Sequence, residues 1–167
     1  MTEEEARDWI RSRFGVSRET LLNRYAEMLV QESSKQNLVA ASTLQSVWSR
    51  HIVDSAQLVS FADAPRGTWL DVGSGAGLPG IVVAVLTEHQ VVLCEPRARR
   101  VNFLTEVVTA LNLDERVAVQ GSKVENFRPD KPAAEPEKVE ARRPAADSPK
   151  AKAESRKPKA ESRKPRA

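Results

Sequence analysis

Between Leu70 and Gly80 the chain reads Leu-Asp-Val-Gly-Ser-Gly-Ala-Gly-Leu-Pro-Gly, and few folds accommodate such a run. The apolar Trp69-Leu70-Asp71-Val72 stretch that enters it has strand character, and the apolar run from Pro79 to Leu86 that leaves it has helix character. Glycines at 73, 75 and 77 let the backbone turn sharply from strand to helix and leave no Cβ between backbone and ligand. Pro79 suits the first turn of a helix, where a missing N–H costs little. The helix amino terminus and free loop amides would then face whatever lies across the strand ends.

Downstream the alternation continues. Gln90 to Glu95 reads as a strand covered on both faces, and Arg97 to Leu111 as a helix with Val101, Leu104, Val107, Val108 and Leu111 turned inward. Val117-Ala118-Val119-Gln120 makes a third strand. Strand, helix, strand, helix, strand predicts an α/β fold with a parallel sheet and right-handed crossovers.

The first 64 residues carry helical periodicity instead. Thr2-Glu3-Glu4-Glu5 has capping-box spacing ahead of Ala6, Trp9, Ile10 and Phe14. Ser17 is the expected cap of a second helix, whose stripe of Leu21, Leu22, Tyr25, Met28 and Leu29 reads as core. A third helical pattern runs from Leu44 to Phe61. Residues 1–64 are therefore expected to form a helical lead-in and 65–131 a cofactor-binding half-domain.

From Pro132 onward the composition changes: no aromatic residue occurs, and Val139 is the sole aliphatic residue larger than alanine. Such a segment buries too little apolar surface to offset its ordering entropy, so 132–167 is expected to be a disordered, low-complexity tail. Residues 1–131 hold 15 Lys and Arg against 17 Asp and Glu, whereas 132–167 hold 11 against 6. The overall charge of +3 thus comes from the tail, which could meet polyanions without sequence choice. One cysteine, Cys94, excludes an internal disulfide and a multi-cysteine zinc site, and no metal site is expected. No apolar run approaches the roughly 20 residues of a membrane span, and a cytoplasmic location is expected.

Two ligand classes compete for the glycine loop. Gly75-x-Gly77-x-x-Gly80 satisfies the dinucleotide fingerprint, with Glu95 about 20 residues on where that pattern places an acid. Asp71, with Gly73 only two residues later, favours instead a ligand with an amino-acid end, S-adenosylmethionine, whose ammonium a carboxylate at 71 can meet. Glu95, at the end of the second strand, is placed to accept hydrogen bonds from both ribose hydroxyls. Cys94 reads as strand core rather than nucleophile, since His89 in the preceding turn is no partner for it.

Gly73-Ser-Gly-Ala-Gly-Leu-Pro-Gly80, Arg50-His51-Ile52-Val53-Asp54-Ser55, Asn37-Leu38, and the Glu95-Pro96 to Phe103-Leu104 run together resemble the ribosomal RNA small-subunit methyltransferase G family, also called glucose-inhibited division protein B. The resemblance covers roughly residues 17–128. It implies a Rossmann-like class I S-adenosylmethionine-dependent methyltransferase with N-terminal helices, acting on N7 of guanine 527 in 16S ribosomal RNA, with the 30S subunit as partner. It places cofactor contacts on Gly73, Leu78, Val124 and Glu125, the last two beside the adenine. Asp71, Gly75, Gly77 and Glu95 follow from the general methyltransferase pattern. Guanine N7 has a free lone pair, so no general base is required, and no catalytic residue is assigned. His51 and Asp54, three apart on a helix, are expected either to support that helix by a hydrogen bond or to stand at the RNA-facing mouth.

The family continues into a fourth strand ending in a Ser-Arg-Ala-like motif, and this chain departs from it after Arg128. The expectation is a chain with the C-terminal half of the sheet missing, inactive through truncation, and an unpaired edge on the first strand available for self-association. The alternative expectation is a non-catalytic RNA-associating or regulatory protein that keeps the cofactor-binding scaffold.

Overall fold

The Thr2 side chain accepts from the Glu5 N–H and the Glu5 carboxylate accepts from the Thr2 N–H, a complete capping box that starts helix α1 (Glu3–Phe14). The computed structural model describes residues 1–62, 66–123 and 125, all within a unit spanning Met1–Pro129. Expectations for Val124 and for the tail 132–167 lie outside the described residues.

Gly15 closes α1 and opens α2 (Val16–Ser33): its N–H bonds the Arg11 carbonyl and its own carbonyl accepts the Glu19 N–H. Ser17 therefore lies inside the helix and is not its cap, a correction that follows from the two helices sharing one joint residue. The pattern from Leu44 to Phe61 is also not one helix. It divides into a 3-10 turn (Ala41–Ser46), a π turn (Trp48–Ile52), helix α3 (Val53–Gln57) and a second 3-10 turn (Leu58–Phe61). The break has a cause in α1, because the Glu3 carboxylate takes the N–H groups of Trp48 and Ser49, each at 2.9 Å. Those donors are withdrawn from the preceding carbonyls, so the helix restarts there. Burial opposes ionisation of Glu3, but these N–H bonds hold its carboxyl below the usual value.

Strands β1 (Thr68–Val72), β2 (Gln90–Cys94) and β3 (Val117–Gln120) form a parallel sheet in the order β1-β2-β3. Helices α4 (Gly80–Leu86) and α5 (Ala98–Ala110) are the crossovers. Right-handed crossovers between successive neighbours put both helices on one face. Val91, Leu93 and Val117 on that face are buried, whereas Leu70 and Val72, alternating with Trp69 and Asp71, are 42% and 57% exposed.

Every residue of α4 is buried, since it packs on β1 and β2 with α2 and α3 against its outer side. This is why its sequence is apolar all round. Its carboxyl end is closed by two guanidinium groups. Arg18 donates to the Leu86 carbonyl, and Arg116 to the carbonyls of Ala84, Thr87 and His89. A single hydrophobic cluster, from Ala6 and Ile10 to Leu113 and Val117, joins the helical segment to the sheet.

Candidate cofactor site

At the carboxyl ends of β1 and β2 two carboxylates flank the glycine loop. Glu95 is 2% exposed. Its Oε2 accepts the Gly75 N–H at 3.0 Å and its Oε1 accepts the Arg97 N–H at 2.9 Å. The Arg100 guanidinium lies 3.8 Å from Oε2. Each carboxylate oxygen has a second lone pair, so the group that ties down the loop keeps acceptor capacity for hydroxyls.

Asp71 reaches across the loop, where its Oδ2 accepts the Gly80 N–H at 3.0 Å. A carboxylate thus meets the first residue of α4, the favourable end of that helix's dipole. Burial nevertheless pushes the Asp71 carboxyl above its ordinary value, and the Gly80 N–H only partly offsets this. Gly80 is tightly enclosed: a Cβ there would press on Leu93 Cδ2 and lie 2.6 Å from Asp71 Oδ2, so both side chains would have to shift. Gly77 is constrained twice, by φ of 91° and by a virtual Cβ 2.6 Å from Ile81 Cγ1.

Most loop amides are spoken for, contrary to the expectation of a row of free donors. The N–H groups of Gly73 and Ser74 bond the Cys94 carbonyl, Gly77 bonds Ser74, and Gly75 and Gly80 bond the carboxylates. Among the described residues the loop retains the N–H groups of Ala76 and Leu78 as donors. Two acceptor carboxylates and two donor amides fit a ligand with an ammonium, a carboxylate and vicinal hydroxyls, and supply less than the bank of N–H groups that a pyrophosphate needs.

Contacts from the helical segment complete the site. The Tyr25 hydroxyl donates to the Ala76 carbonyl at 3.0 Å, and burial pushes its ionisation well above the ordinary range. Arg100 donates to the Asn37 carbonyl at 3.1 Å, and Gln36 to the Arg99 carbonyl at 3.3 Å. Tyr25 was legible only as one member of an apolar stripe. The available signal was chemical, because a tyrosine in a core stripe requires a partner for its hydroxyl.

The remaining candidates divide between the loop and its surroundings. His51 does not bond Asp54; its Nε2 lies 2.8 Å from Thr43 Oγ1, and burial lowers its pKa. Cys94 is 1% exposed, with its thiol pushed up by burial and then by the Asp71 charge, the opposite of an activated nucleophile. Glu125 is exposed, and Gly73, Gly75 and Leu78 all lie in the loop. A groove of about 550 Å³ between α1 and the turn preceding β1, lined by Trp9, Arg13, Phe14 and Phe61, includes none of these residues. No helix among the described residues is long and apolar enough to cross a membrane.

Residues 18–140 match the family described as rRNA small subunit methyltransferase G. Three curated proteins named ribosomal RNA small subunit methyltransferase G are close relatives. That of Sphingopyxis alaskensis is 48% identical over 115 residues, 67% of this chain and 49% of that protein. That of Zymomonas mobilis is 42% identical over 139 residues, 77% and 62% of the two chains. That of Rhizorhabdus wittichii is 46% identical over 129 residues, 75% and 58%. The chain therefore spans between half and about three-fifths of the length of these relatives. Among solved structures, the C-terminal domain of precorrin-6Y C5,15-methyltransferase from Rhodobacter capsulatus is similar at 20% identity and a TM-score of 0.39, over 46% of this chain and 44% of that one. By the match over most of its length and the identity to these relatives, the chain belongs to the rRNA small subunit methyltransferase G family.

Proposed function

We propose that this chain binds S-adenosyl-L-methionine at the carboxyl ends of β1 and β2 and serves methyl transfer to N7 of guanine 527 in 16S ribosomal RNA, in the cytoplasm. The observation that carries the reading is the family match over residues 18–140, which takes in the glycine loop, Asp71 and Glu95. Asp71 meets the ammonium of the cofactor, Glu95 accepts from the ribose hydroxyls, and the Ala76 and Leu78 amides receive its carboxylate. Gly73, Gly75 and Gly77 let the ligand approach the backbone, and Glu125 lies beside the adenine. The cofactor supplies an electrophilic methyl on sulfur. The acceptor nitrogen has a lone pair that needs no deprotonation, so the protein's work is alignment.

The RNA is received beside this mouth. α5 opens with Arg97, Arg99 and Arg100 and has no acidic residue in its first turn, an arrangement that opposes the helix dipole. Arg100 is committed to Glu95 and to the Asn37 carbonyl, and phosphate contact falls to Arg97 and Arg99. These arginines line a hollow of about 320 Å³ together with Gln36 and Asn37, and Arg97 and Arg99 are exposed.

The 30S subunit is the proposed partner, and a second copy of the chain is proposed to pair along β1, whose neighbour among the described residues is β2 alone. The test of function is transfer of a tritiated methyl group to 30S subunits lacking the modification. Incorporation at guanine N7 that falls with added salt supports the reading. No calorimetric binding of S-adenosyl-L-methionine and no incorporation would refute it.

A further inference from the structure

Tyr25 comes to the glycine loop from outside the strand-loop-helix unit. It sits on α2, is fully buried, and its hydroxyl donates to the carbonyl of Ala76 at 3.0 Å across 51 positions of sequence. The N–H at the other end of that same peptide group, on Gly77, bonds the Ser74 carbonyl at 2.7 Å. The Ala76–Gly77 peptide plane is therefore clamped at both ends, one from within the loop and one from the helical segment. The peptide groups on either side of it supply the two loop amides, Ala76 and Leu78, that remain as donors. Rotation of the clamped plane would re-aim both.

We propose that Tyr25 is a positioning residue for cofactor binding: by holding the Ala76 carbonyl it sets the loop conformation in which the Ala76 and Leu78 amides are available to the ligand. The N-terminal helices are then part of the cofactor site's frame as well as of the core. The proposal rests on S-adenosyl-L-methionine being the ligand, and the test separates the two ideas.

The variants are Tyr25→Phe, which keeps the buried ring and removes only the hydroxyl, and Ile10→Val, which thins the same core without touching the loop. In the full chain, Tyr25→Phe should weaken S-adenosyl-L-methionine binding about tenfold by calorimetry, the loss expected of one polar contact that orders a site. It should also speed amide hydrogen exchange of Gly75 and Gly77 about tenfold while leaving Leu93 in β2 unchanged. Ile10→Val should do neither. The chain has one tyrosine, so its labelled ring carbon gives a single resonance. In the wild-type protein that resonance should shift in step with cofactor titration.

Wild-type affinity and exchange in Tyr25→Phe, equal changes in Ile10→Val, or a tyrosine resonance indifferent to bound cofactor would overturn the proposal. Failure of the wild-type chain to bind the cofactor sinks the functional reading instead, and loop exchange in Tyr25→Phe then decides alone whether Tyr25 anchors the loop.

Discussion

Asp71 and Glu95 each serve the loop before they serve a ligand, and their substitutions should separate the two duties. Burial raises the Asp71 carboxyl, so the folded state holds its proton more tightly than the unfolded chain. The associated stability is present below the ordinary carboxyl pKa and is lost as pH rises through the raised value. Asp71→Asn removes that loss while its side-chain oxygen still accepts the Gly80 N–H. The variant should melt at or above the wild-type temperature at pH 7, with the difference closing below about pH 4, and bind S-adenosyl-L-methionine about tenfold more weakly. A thermal melt across pH and a calorimetric titration check this.

Glu95→Ala should behave in the other way. It removes the charged acceptor from the part-buried N–H groups of Gly75 and Arg97, so chemical denaturation should show a loss of about 1–3 kcal/mol without any ligand. An unchanged denaturation midpoint would mean that Glu95 does not hold the loop.

At the scale of elements, α4 shows what local patterning conveys and where it stops. Its apolar run announced a buried helix, and the loop glycines announced the turn into it. That Gly80 is crowded was not legible, because the reason is Leu93 on β2 and Asp71 on β1 occupying the place a Cβ would take. Gly80→Ala should therefore destabilise by about 1–3 kcal/mol, the usual cost of overpacking, although alanine is the better helix former. An unchanged melting temperature would show that β2 yields easily. The break in the 41–61 segment was illegible for a similar reason, since it depends on Glu3 from α1. The cap on α2 was misplaced at Ser17 because propensity favours serine, whereas the packing of α1 on α2 put the joint at Gly15.

At the scale of the whole molecule, the two faces of the sheet are unequally covered among the described residues, with Cys94 buried but β1 open on the face away from α4 and α5. The face bearing α4 and α5 is packed, whereas the opposite face leaves Leu70 and Val72 exposed on a strand paired on one edge among the described residues. Such an edge recruits partners. The chain should self-associate with rising concentration in sedimentation velocity, and Leu70→Lys with Val72→Lys should shift it toward monomer without loss of helical signal. Concentration-independent sedimentation of the unsubstituted chain would remove the proposed pairing.

The order of strands and helices, the parallel sheet, and the loop with a carboxylate at either strand end were all set by the sequence itself. Each depends on periodicity, turn chemistry and chain direction, which act over a few residues. Only the tertiary structure decided what holds the loop. Its anchors join residues 9, 20 and 51 positions apart, Asp71 to Gly80, Glu95 to Gly75 and Tyr25 to Ala76. Hydrogen bonds of that reach form only after packing has fixed where each side chain lies and which way it points, and no local rule contains that information.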